Sequence, residues 1–409
     1  MAWNRTLEVT NMTSTVGLNV TNSTADGGGN FTQDEYYYYY YYNEPPPYQV
    51  RPIAVEIPFK GFVYPVLAIV TILGNILTVS VFIKERMRTA TSVLLICLAV
   101  SDSVICASLL PNFLYLYPTG NFKTYVMYGW CVALQILSNI YRVARTTSNW
   151  ITAAIGLQRY IIVRLPFKAK RICTIKTSLL TCVFITIASL LIHLLQFLAL
   201  EIIPSTPSST LTNGTLPTGC IKQFPVWIID TFQDMKRMVW MHYLFTGIFS
   251  GLLPCLLLLI TTVLLVLQLR RRRKNLGKNG CHGDASDKNT RRVTRFVIVI
   301  LIVFLLAEMQ DAVAFFIYVY EISSDKDRKV LSREADMTWD TFTVLIALLS
   351  YHVNFWIYLL MSKQFRCVLR ARFCPRDGFR VNKRDDRLTT ASFLPENSTS
   401  QMSSTQKAV

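Results

Sequence analysis

The sequence predicts an all-α membrane protein, a bundle of seven transmembrane helices, and three observations carry that prediction. Hydrophobic side chains make up 52% of the 409 residues and charged ones only 16%, well below the ~25% of a soluble protein. Seven apolar stretches each reach the ~20 residues that cross a bilayer at ~1.5 Å per residue. The charges between them fall into two opposed sets, as membrane topology requires. The net charge of +17 therefore reflects topology rather than a nucleic-acid partner. Ten cysteines in a chain this long are too few for a disulfide scaffold, and no C-x-x-C pair suggests zinc.

The stretches lie at 59–84, 91–117, 127–163, 175–201, 237–269, 291–321 and 338–361. Lipid offers no partner to a free backbone group, so each is expected to be helical. The third is the most polar: Ser138 to Thr152 includes Arg142, Arg145, Thr146, Thr147, Ser148 and Asn149. At that depth such residues must face protein or water. The domain reading follows: a disordered, glycosylated extracellular segment 1–58, the helical domain 59–362, an amphipathic segment 363–374, and a disordered cytoplasmic tail 375–409.

Orientation comes from the charges. Acidic residues outnumber basic ones in residues 1–58 and the connections after helices two, four and six. The connections after helices one, three and five, with the tail, carry the large basic excess, including Arg270 to Lys274. The basic side is expected to be cytoplasmic and to touch anionic lipid. The opening residues contain no apolar signal core, so helix one is expected to direct its own insertion. N-x-[ST] triplets at Asn4, Asn11, Asn19, Asn22 and Asn30 crowd the N-terminal segment, and Asn213 adds one after helix four; all six are candidate glycosylation sites. Tyr36 to Tyr42, beside Asp34, Glu35 and Glu44, read either as a sulfated tract for a basic ligand or as low complexity without a role.

Several functions use seven helices. A retinal protein needs a lysine in the last helix, and 338–361 has none. A repeat-built transporter would show paired broken helices, and no such symmetry is visible. The four histidines (His193, His242, His282, His352) are scattered, so enzyme chemistry has no cluster to rest on. Receptor leads; a transporter or channel remains the alternative.

Gly74-Asn75, Leu98-Ala99-Val100-Ser101-Asp102, Gln158-Arg159-Tyr160, Pro254 and Asn354-Phe355-Trp356-Ile357-Tyr358 stand in order on helices one, two, three, five and seven. Together they resemble the signatures of rhodopsin-like G-protein-coupled receptors, over residues 59–374. The stretch after Ser362 resembles the family's short eighth helix. Departures stand at Gln158 for an acid, Phe355 for proline and Glu308 at the pocket-floor tryptophan of helix six. The run Gln158-Arg159-Tyr160-Ile161 with Arg171-Ile172-Cys173-Thr174, plus Asn354-Phe355-Trp356-Ile357-Tyr358, resembles the invertebrate sex peptide and myoinhibitory peptide receptor group. The resemblance implies an extracellular neuropeptide ligand, amidated in that group, and a heterotrimeric G protein of the Gi/o class, with arrestin as a further partner. An orphan receptor for another ligand class is the alternative.

The resemblance also implies residue roles. Asn75, Asp102, Ser148, Ser350 and Asn354 match a polar core where the family holds sodium; a water-filled network reads equally well, and no other cofactor is expected. Gln158, Arg159, Tyr160 and Tyr358 match the G-protein-coupling end. Neither Gln158 nor Thr290 supplies an acid to restrain Arg159, so basal signalling is expected. Cys131 and Cys220 are implied to form a disulfide. Cys131 precedes Arg159 by 28 residues, roughly one helical turn more than in the family, so helix three either starts higher or bulges near Asn139. Cys374 is a candidate palmitoylation site. Arg142, Arg145, Asn149 and Thr152 share one helical face, and Glu308 and Asp311 lie across from it. An Arg145–Glu308 ion pair is expected at the cavity floor, with Arg142 and Asp311 one turn higher to meet ligand.

Overall fold

The computed structural model describes residues 48–84, 89–205, 219–231, 235–279, 285–323, 331–361 and 363–373. Seven long helices appear, in the order of the apolar stretches: α1 (Glu56–Phe82), α2 (Ala90–Leu116), α3 (Tyr128–Arg164), α4 (Ile175–Leu198), α5, α6 (Ala285–Ser323) and α7 (Arg333–Met361), followed by the short α8 (Lys363–Phe373). α5 consists of Met235–Gly247 and Leu253–Asn279, joined through a π turn at Ile248–Leu252. Among the described residues, α1, α2, α4, α5 and α7 are long and apolar enough to cross a membrane by composition alone. α3 is too polar for that test and sits in the middle of the bundle, packed on α2, α4, α5 and α6. That is where a helix with buried polar side chains has to be.

Local sequence explains the helix ends. Thr89 and Ser92 form a reciprocal capping box at the start of α2, and the Thr174 hydroxyl accepts the Thr177 amide at the start of α4, satisfying donors that have no partner within the helix. Gly74 allows α7 to approach α1, since a Cβ there would lie 3.2 Å from Phe355. The side chain in place of the usual proline thus fills the notch that Gly74 leaves, and α7 is helical from Arg333 to Met361. Phe82, Tyr358 and Phe365 stack where α1, α7 and α8 meet.

The sequence reading missed a β-hairpin between α4 and α5. β1 (Glu201–Ser205) pairs antiparallel with β2 (Gly219–Gln223), with Pro204 opposite Cys220. Cys131 and Cys220 are disulfide-bonded, with Cα atoms 6.5 Å apart, so the hairpin is pinned to the first turn of α3. α3 begins at Tyr128 and is α-helical throughout. The long spacing is therefore an early helix start, with no bulge at Asn139. Asn4, Asn11, Asn19, Asn22, Asn30, Asn213, Tyr36 to Tyr42, Cys374 and the tail 375–409 lie outside the described residues, as does the side chain of Thr290.

Candidate functional site

A cavity opens between α2, α3, α4, α5 and α6. Its floor is built by one arginine. The guanidinium of Arg145 meets Glu308 at 3.5 Å, donates to the Tyr141 hydroxyl at 3.0 Å and is ion-paired with Asp311. The expected Arg145–Glu308 pair is present. The separate role for Asp311 is corrected: Glu308 and Asp311 are three residues apart, on one face of α6, so a single guanidinium reaches both. Arg142 is held along its own helix, donating to Asn139 at 3.0 Å and Ser138 at 2.9 Å, while still lining the cavity.

Asn149 ties this floor to α5. Its amide nitrogen donates to Glu308 at 3.0 Å and to the Ser250 carbonyl at 3.2 Å, and next to it the Trp150 indole donates to the Phe249 carbonyl at 2.9 Å. The cause lies in Pro254. A proline has no N–H, so the carbonyl four residues earlier loses its helical partner, and in a π turn the next candidate, five residues back, is lost too. Those carbonyls are Ser250 and Phe249. Sequence reasoning named Pro254 without drawing this consequence, and the same counting would have found both partners. Thr146 and His193 close the α4 wall at 2.8 Å, a contact with no sequence signal.

Toward the opposite end of α3, Asp102 is fully buried and accepts from Ser148 at 2.7 Å and from the Asn354 amide at 3.2 Å. The other two expected members are not bonded to it. Ser350 donates to its own helix at Ala347, and the buried Asn75 amide nitrogen has no hydrogen-bond partner among the described residues. A sodium ion wants about six oxygens or more, as hard cations do. Here Asn354 turns nitrogen inward and only Asp102 and Ser148 present oxygen, so the arrangement fits a hydrogen-bonded core rather than a cation shell.

At the far end of α3, Gln158 accepts from Thr91 at 2.9 Å and donates to Ser178 at 3.2 Å. It bolts α2 to α4 through α3 and does not restrain its neighbour. Among the described residues Arg159 has no ion pair, and its buried Nε has no hydrogen-bond partner. Tyr160 lies partly exposed beside it, and Tyr358 is buried between Phe82 and Phe365.

Residues 62–376 match the family described as serpentine type seven-transmembrane G-protein-coupled chemoreceptor Srw. The chain belongs to that family. It is a multi-pass membrane receptor and not an enzyme. It is similar to the sex peptide receptor of Drosophila melanogaster, 29% identical over 331 residues that cover 80% of this chain and 74% of that protein. It is also similar to sex peptide receptor-related protein 2 of Caenorhabditis elegans, 25% identical over 334 residues, 78% of this chain and 72% of the relative. A shorter match, 31% over 140 residues, joins it to the Drosophila FMRFamide receptor, covering 33% of this chain and 26% of the other.

Proposed function

We propose that this receptor sits in the plasma membrane with its N-terminus outside, binds an extracellular peptide in the Arg145 cavity, and activates a heterotrimeric G protein at the Arg159 end. The observation that carries the reading is the floor itself: a guanidinium shared by two carboxylates in a cavity between five helices. A buried ion cluster is costly unless every charge is paired. A charged or strongly polar ligand group that enters must therefore exchange partners with it, which changes how α3 and α6 are held together. Asn149 passes the same change to α5. The relatives, named as sex peptide and FMRFamide receptors, favour a neuropeptide ligand, and the sequence resemblance favours an amidated one of the sex peptide or myoinhibitory kind. The unrestrained Arg159 favours measurable basal signalling, and a Gi/o-class partner and arrestin belong to the same reading.

The placement outside makes Asn4, Asn11, Asn19, Asn22, Asn30 and Asn213 glycan acceptors, and Cys374 an acylation site on the inner side. No cofactor enters this reading. The test is a G-protein dissociation assay in cells expressing the receptor, challenged with a panel of amidated neuropeptides. A concentration-dependent response to one peptide family is expected. Silence to the whole panel at verified surface expression, together with ion flux under voltage clamp, would contradict the receptor reading.

A further inference from the structure

A second buried ion cluster lies outside the cavity. Lys60, on the first turns of α1, reaches Glu56 at 2.5 Å and Asp340 of α7 at 3.1 Å. All three residues are at most 8% exposed. The Tyr64 hydroxyl donates to the Thr341 carbonyl beside them. The second oxygen of Glu56 accepts the Ile53 amide at 3.2 Å, so the cluster also grips the chain that leads into α1.

That leading segment is pinned along its length. The Tyr48 amide donates to the Cys220 carbonyl at 2.8 Å, and the Tyr48 carbonyl accepts from Val126 at 3.1 Å. Gln49 donates to the Lys123 carbonyl, and Arg333, the first residue of α7, donates to the Arg51 carbonyl at 2.9 Å. Residues 48–56 thus run as a strap from the disulfide hairpin to the α1–α7 contact.

We propose that Glu56, Lys60 and Asp340 form a clasp through which the strap and α1 hold α7 in place, so that the hairpin controls α7 by a route outside the ligand cavity. The chemistry favours a positioning role over a stabilising one. A buried ionic cluster adds little over well-packed apolar replacements, yet removing one member leaves the others uncompensated. Such a device fixes geometry and yields as a unit. α7 carries Asn354, bonded to Asp102, and Tyr358, edge-on against Phe82 of α1, so its position bears on both inner sites. The signalling consequence rests on the receptor reading above; the mechanical one does not.

The experiment measures hydrogen exchange by mass spectrometry on full-length receptor in nanodiscs, alongside basal G-protein activation in cells normalised to surface expression. Lys60→Met and Asp340→Asn should each speed exchange of residues 48–56 and of the first turns of α7 by about tenfold, as local opening does, while the middle of α3 is unchanged. Basal activation should rise severalfold. The swap Lys60→Glu with Asp340→Lys should pull both readouts back toward wild type. Should the single variants fail to reach the surface, the swap and the neutral triple Glu56→Gln, Lys60→Met, Asp340→Asn carry the test. Exchange that is unchanged, or that rises evenly through the bundle, would overturn the clasp, and so would wild-type basal activity in the neutral triple. A wild-type receptor silent to every ligand would sink the receptor reading instead, leaving exchange alone to judge the clasp.

Discussion

The two buried ion clusters have the same composition and opposite surroundings. In each, one basic side chain is shared by a glutamate and an aspartate. Arg145, Glu308 and Asp311 line the ligand cavity; Lys60, Glu56 and Asp340 line neither that cavity nor the smaller one beside it. The difference teaches that burial of charge does not itself mark a ligand site. What marks it is burial of charge against empty space, where another charged group can compete for the partners.

The strongest way to break this comparison is to neutralise each cluster whole. Arg145→Leu alone should cost about 3–5 kcal/mol, because two carboxylates are left buried without a counter-charge, and surface expression should collapse. Adding Glu308→Gln and Asp311→Asn should restore the folded receptor in a thermal-shift assay but not its response to peptide. The matching neutral triple at Lys60 should keep peptide affinity within about threefold, a shift well under 1 kcal/mol. Equal losses of affinity at both clusters would erase the distinction.

A middle-sized effect sharpens how the cavity floor reaches α5. Asn149→Leu leaves the Ser250 carbonyl and one Glu308 oxygen unpaired and should cost about 1–3 kcal/mol. Pro254→Ala returns an N–H four residues after Ser250. The double variant should therefore lose about 1 kcal/mol less than the sum of the singles, read from thermal unfolding in detergent. Strict additivity would show that the proline does not set the Asn149 contact.

The smallest effect concerns the disulfide-held hairpin. Burial first, and Arg142 second, lower Lys222 on β2 to about 7, and its ammonium lies 4.3 Å above the Tyr48 ring. Folding disfavours the charged form, so the penalty is full at pH below about 7 and fades as pH rises toward the unfolded lysine value of ~10.4. Lys222→Met should raise the unfolding temperature most at pH 6 and progressively less at pH 8 and 9. A gain that does not depend on pH would contradict this account of Lys222.

How much of this was legible in the sequence depends on depth. Arg145 and Glu308 fall in the middle of apolar stretches, where a charge demands explanation; helical period and rise set the depth of Arg145, and the family resemblance supplied its inward direction and the matching depth of Glu308. Lys60, Glu56 and Asp340 fall at helix ends, where charges normally meet water, so composition gave them no distinction. Most of the helices were legible from hydrophobic length, while α3 had to be read as a span whose polar residues face protein. The hairpin was not, since Glu201–Ser205 and Gly219–Gln223 are short and far apart in sequence, and Asn213-Gly214 between them was read only as part of a glycosylation triplet. Gln158 was readable as the loss of an acid beside Arg159, but its bridge from Thr91 to Ser178 required the packing of three helices. Ser350 and Asn75 matched a family pattern by position, and a pattern of positions does not fix which way an amide or hydroxyl points.

The central claim is that Arg145 and Glu308 face each other across the floor of the ligand cavity as a working ion pair. The most direct test is the charge swap, Arg145→Glu with Glu308→Arg, measured as surface expression and peptide-evoked G-protein dissociation. In the swapped receptor the arginine on α6 faces the new glutamate on α3 and keeps Asp311 on its own helix within reach, so every charge still has a partner. The account predicts that the double variant recovers surface expression and part of the peptide response that either single change abolishes. A double variant no better than the worse single one would contradict it.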